Sequence, residues 1–125
     1  MLLTLALASL VGAVPADTIT GTWQIQGDVS GYPVNSVCDV VVADTALTGH
    51  CTSSDGSTYE ITGSVKDQSV TFQHAGDYEG QPLTVVYTGT IHSPTEVRGT
   101  INVQPFDVSG YFTARPAPKD PTAEG

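Results

Sequence analysis

Basic side chains are nearly missing from this sequence. Four Lys and Arg stand against 13 Asp and Glu, for a formal net charge of −9. A surface for nucleic acid or for an anionic membrane needs a basic patch. Lys66, Arg98, Arg115 and Lys119 are too few and too scattered to make one, which excludes both partners and leaves solubility as the plain reading of the acidity. Long apolar runs are missing as well: the run from Met1 to Ala13 falls short of the roughly 20 residues that a membrane-spanning helix needs. Helical periodicity of useful length is absent, and Leu, Lys, Glu and Ala are sparse after residue 16. Metal-ligand spacing is absent too. His50, His74 and His92 show no His-x-x-x-His pattern, and Asp77-Tyr78-Glu79-Gly80 matches no recognised calcium loop, so it reads as an acidic turn. No nucleophile–base or paired-carboxylate arrangement emerges, so the chain implies no cofactor and no catalytic residues, and the expectation leans away from an enzyme.

What is present begins with an address. The uncharged run Met1–Ala13 is followed by Val14-Pro15-Ala16, which suits a cut before Asp17. Residues 1–16 therefore read as a secretory signal peptide, atypical in that no Lys or Arg precedes the apolar run. The expected location is secreted or periplasmic. In that oxidising setting the two cysteines, Cys38 and Cys51, should pair. Their positions agree independently: with Asp44 and Thr45 as the turn of a hairpin, Cys38 falls directly opposite Cys51. The last ten residues, 116–125, are Pro-rich and polar and read as a disordered tail or linker.

Between these ends the chain is all-β. Thr, Val, Tyr and Ile are plentiful, and short apolar–polar alternations are separated by turn chemistry. Strands are predicted at 20–28, 34–42, 46–53, 58–65, 69–75, 82–91, 96–103 and 108–115. The turns include 30–33, 54–56, 66–68, a longer loop from Ala75 to Gln81, and residues after Gln104. Eight short strands in a meander predict an antiparallel up-and-down barrel over residues 17–115, with a β-sandwich as the alternative. Six glycines (Gly21, Gly49, Gly63, Gly89, Gly99 and Gly110) sit between large apolar residues on the same strand face, leaving gaps on the core side. The hairpin registers place Gly63 against Phe72, Gly99 against Phe112 and Ile101 against Gly110, so aromatic rings fill at least some of the gaps.

Two features make the chain resemble the calycin group, the small barrels that include lipocalins and avidin-like proteins. They are Gly21-Thr22-Trp23, a Gly-x-Trp opening the first strand, and Arg115 closing the last strand in Phe112-Thr113-Ala114-Arg115. The resemblance implies that Trp23 packs at the closed end and that Arg115 lies over it, bonding nearby backbone carbonyls. The chain is also similar in style to short lipocalin-like barrels of secreted bacterial proteins, rich in Leu-Thr-Gly and Tyr-Thr-Gly segments. It is shorter than typical lipocalins and lacks their C-terminal helix, which implies little room for a ligand. A looser likeness links Trp23, Cys38 and Cys51 to bacterial periplasmic metalloprotease inhibitors. That likeness implies insertion of Asp17-Thr18-Ile19 into a protease cleft.

The candidate site follows from parity. Trp23, Tyr59, Phe72, Tyr87 and Phe112 all face inward, as does His74 at a strand end, with Tyr59 near it. These six residues would line an apolar ligand pocket or, equally on spacing, form the packed core. Asp39 and His50 are expected opposite each other on the outer face, as an ordinary cross-strand pair. The functional expectation is a secreted, lipocalin-like barrel binding a small apolar ligand or an extracellular protein. The alternative is an inhibitor-like interaction module acting through its surface and N-terminal segment.

Overall fold

A computed structural model describes residues 16–117 of the chain. The alternating segments become eight strands: β1 (Gly21–Val29), β2 (Tyr32–Ala43), β3 (Ala46–Ser53), β4 (Thr58–Lys66), β5 (Ser69–Tyr78), β6 (Gln81–Ser93), β7 (Glu96–Gln104) and β8 (Val108–Pro116). Each strand pairs antiparallel with the next, and β8 returns to pair with β1 through Gly27↔Phe112 and Ile25↔Ala114. That closure removes both sheet edges and settles barrel over sandwich. A 3-10 turn, Ala16–Ile19, leads into β1.

Turn geometry explains where the strands run longer than expected. Glu79 and Gly80 both have positive φ (51° and 86°), as do Ser30 and Gly31 (48° and 90°). Two such residues make the tight hairpin turn whose twist matches its strands. The loop expected from Ala75 to Gln81 therefore shrinks to Glu79-Gly80, and the ladder continues through Gly76↔Leu83, Asp77↔Pro82 and Tyr78↔Gln81. Likewise Tyr32 and Pro33 belong to β2, opposite Val29 and Asp28. At the other terminus β8 includes Pro116, and the Ala117 N–H donates to the Thr22 carbonyl at 2.9 Å. The rest of the expected tail, and residues 1–15 of the expected signal, lie outside the described residues.

The core is built from rings seated on glycines. Phe72 stacks on its cross-strand neighbour Tyr87 (centroids 4.5 Å apart), and Phe112 meets both edge-on, at 6.0 Å and 5.3 Å. Phe112 is flanked by Gly27 on β1 and Gly99 on β7, and Phe72 is opposed by Gly63. A Cβ on Gly89 would come within 2.9 Å of the Phe112 Cζ, so that ring crosses over β6 as well. Close packing leaves no slack for added atoms there. Gly21 differs from the other expected gaps: it is exposed at the start of β1 with nothing near it. Cys38 and Cys51 are directly opposed, disulfide-bonded and fully buried.

Candidate functional site

The barrel has two unlike ends. One carries the turns after β2, β4 and β6 together with the N-terminal turn, and it is plugged. Ile19 is buried there, and its carbonyl accepts the Trp23 indole N–H at 2.7 Å. The other end carries the turns after β1, β3, β5 and β7. A cavity of about 410 Å³ opens at this end. Its walls are Val29, Leu83, Val85, Val103 and Val108, and its rim is Ser30, Tyr32, Tyr78 and Phe106. That size lies within the usual range for small-molecule pockets. The cup exists because the inward positions here are small. Val85, Val103 and Val108 occupy them, and Gly76 and Gly110 are inward neighbours. One inward step deeper, Tyr87, Ile101 and Phe112 form the packed layer beneath.

The six residues expected to line a pocket do not line this one. Trp23, Phe72 and Phe112 surround instead a void of about 30 Å³ towards the plugged end, walled by Ile25, Leu47, Ile61 and other apolar groups. A space of that size holds about one water at most, and apolar walls give a water no partners. Tyr87 is buried in the same stack. The packed-core alternative therefore describes these four rings. The cup residues were missed because the sequence reading placed Tyr32 in a turn and Tyr78 and Phe106 in loops. A usable signal existed: the inward parity of Trp23 and Ile25 runs on to Val29, and that of Tyr87 runs back through Val85 to Leu83.

Tyr59 and His74 do meet, with ring centroids 4.0 Å apart, and they anchor a polar cluster inside the barrel wall. The Tyr59 hydroxyl donates to the Ser36 Oγ at 2.7 Å, and Ser36 is itself buried. His74 Nδ1 lies 3.0 Å from the Ala75 carbonyl, which can only accept, so Nδ1 carries the proton. Nε2 then accepts from the Tyr87 hydroxyl, at 3.5 Å. Desolvation holds the His74 pKa below its ordinary value, so the imidazole stays neutral. Burial, reinforced by Tyr59, holds the Tyr87 phenol well above its ordinary value. The cluster offers neutral donors and acceptors with no nucleophile among them. His74 is tied to the cup through Val85, its cross-strand partner and a wall residue.

On the outside, Asp39 and His50 are opposed as expected, but each finds another partner. The Thr22 hydroxyl donates to Asp39 at 2.7 Å, and His50 Nδ1 sits 3.0 Å from Glu60. The expected closure pair does not form. Arg115 stands opposite Gln24 with outward parity, is 60% exposed, and its guanidinium binds Glu96 at 3.1 Å. The carbonyl of Ile19 takes the polar edge of Trp23 in its place. Ile19, the last residue of the segment expected to enter a protease cleft, is buried in the barrel's own plug. No cluster of three or more His, Cys, Asp or Glu side chains able to hold a metal ion occurs among the described residues.

Neither a protein-family model nor a curated protein matches this sequence. Solved structures do match in fold. A redesigned β-barrel superposes with a TM-score of 0.65 at 16% identity, over 81% of this chain and 93% of its own. A de novo designed fluorescence-activating β-barrel gives 0.61 at 18% identity, covering 82% and 96%. A third, a redesigned barrel bound to DFHBI, gives 0.60 at 18% identity, covering 78% and 94%. The likeness establishes the small closed eight-stranded barrel.

Proposed function

We propose that this barrel is an exported, lipocalin-like binder that holds a small apolar molecule in the cup at its open end. The observation that carries the reading is the cavity itself: about 410 Å³, apolar-walled and open at a rim of three aromatic rings. Apolar space of this kind is where small ligands gain most from leaving water. That a barrel of similar fold has been solved with DFHBI bound supports the reading as precedent for the architecture. Export is supported by the uncharged run Met1–Ala13 and by a buried disulfide, which suits an oxidising compartment. The inhibitor-like alternative is less favoured at the N-terminal segment, because Ile19 is buried in the barrel's own closure.

The test uses the protein produced with its leader in an exporting host, where its mass should match a chain beginning at Asp17. Titration with the neutral apolar fluorophore N-phenyl-1-naphthylamine should give a saturable rise in emission at one site per barrel. Leu83→Trp and Val85→Trp, which fill the cup from neighbouring positions, should each abolish the rise. Ile91→Val at the plugged end should leave it intact. No saturable signal from the unaltered protein would sink the reading.

A further inference from the structure

We propose that the preferred occupant of the cup is a cationic amphiphile, with its apolar tail between Val29 and Val85 and its positive head at the acidic, aromatic mouth. This rests on the reading of the cup as a binding site and adds the chemical class of the ligand. The charge of the barrel is polarised along its axis. Among the described residues the basic side chains are Lys66, Arg98 and Arg115. Lys66 ends β4 at the plugged end, and Arg98 and Arg115 share Glu96 at 3.1 Å, at the plugged-end start of β7. The described mouth turns carry no Lys or Arg.

The mouth carries carboxylates instead, and they are placed by the chain itself. Asp28 adjoins the wall residue Val29, Asp77 and Glu79 flank the rim residue Tyr78, and Asp107 lies between Phe106 and Val108. Asp55 sits in the neighbouring turn, its carboxylate accepting the Ser57 hydroxyl at 2.7 Å, which helps hold its pKa below the ordinary value. The neighbouring Tyr78 phenol, and to a lesser degree Glu79, hold the Tyr32 phenol above its ordinary value. The aromatic rings form the second half of the recognition. Tyr32, Tyr78 and Phe106 are 64%, 48% and 40% exposed, and Tyr78 meets Phe106 edge-on at 6.1 Å.

Aromatic faces attract cations, most of all weakly hydrated ones such as quaternary ammonium groups. Carboxylates gathered on the turns and strand ends of one barrel end, beside a low-dielectric cup, raise the local concentration of cations and repel anions. A neutral apolar ligand would use the walls alone, and an anionic one would place its head among like charges.

Three octyl compounds with different heads decide the matter: octyltrimethylammonium, octanol and octanoate, each tested below its aggregation threshold for displacement of the bound fluorophore. The cation is expected to bind about tenfold more tightly than octanol at low salt, with octanoate weakest. The ratio should shrink in 0.5 M NaCl as screening sets in. Glu79→Gln with Asp107→Asn should pull the cation towards octanol, whereas Asp44→Asn with Asp67→Asn, at the plugged end, should leave the ratio unchanged. Equal binding of all three compounds would overturn the cation preference while leaving the cup as a binding site. An equal loss of preference in the plugged-end variant would also overturn it, since only net charge would then be at work. Displacement by none of them, with the fluorophore still bound, would overturn the cation preference, whereas failure of the fluorophore itself to bind would remove the underlying reading together with this one.

Discussion

At the residue scale the barrel depends on what is left out as much as on what is present. Phe112 lies between Gly27 and Gly99, where a methyl group on Gly99 would be driven into the Thr88 carbonyl and the Gly89 Cα, both backbone atoms that cannot swing aside. Gly99→Ala is therefore expected to destabilise the fold by about 3 kcal/mol or more, at the upper end for overpacking. Urea unfolding checks this, and a loss under about 1 kcal/mol would contradict the packing described. His74 gives a second prediction. Its pKa is lowered from the ordinary 6.5 by burial, so on acidification the unfolded chain takes up a proton before the folded barrel does. The contribution of neutral His74 is fully present above about pH 6.5. It is lost as the pH falls through that value towards the folded pKa. His74→Gln should flatten this part of the profile. Parallel stability curves for the two proteins between pH 8 and pH 5 would exclude His74 as the source.

At the scale of elements, strands and registers were legible because a hairpin's register follows from its turn. The pairs Cys38↔Cys51, Gly63↔Phe72, Gly99↔Phe112 and Ile101↔Gly110 all stand as the spacing predicts. Strand length was less legible. Nothing in the composition of residues 75–81 signals that Asp77 and Tyr78 remain in the ladder, because the signal is the positive φ of Glu79, an uncommon residue for that conformation. The disulfide belongs to this scale too. It joins β2 to β3 across a sequence separation of 13 and is fully buried. Replacing both cysteines by alanine should lower stability by about 3 kcal/mol, chiefly by freeing the unfolded chain. A denaturation midpoint unchanged from the oxidised protein would show that the native hairpin needs no such tie.

At the scale of the whole molecule, closure of β8 onto β1 creates the two unlike ends and, with them, the candidate site. Parity identified which side chains point inward, but parity is blind to depth along the axis. Trp23, Phe72, Tyr87 and Phe112 share an inward face with Val29 and Val85, yet the first set is buried in the core and the second lines an open cup. The proposed cation preference also belongs here, since no single turn sets it. It arises because the meander brings Asp28, Glu79 and Asp107 to one end and leaves Lys66, Arg98 and Arg115 at the other.

The sequence by itself determined the all-β meander, the hairpin registers, the cysteine pair and the glycine–aromatic cross-strand pairs. All of these are written in local periodicity and turn chemistry. Only the tertiary structure decided that Ile19, not Arg115, attends Trp23, that the inward rings form a core and not a pocket, and that a cup opens beside Tyr32, Tyr78 and Phe106. Those outcomes depend on how eight strands stagger as the sheet closes on itself, which brings together residues far apart in the chain and sets their depth along the barrel axis.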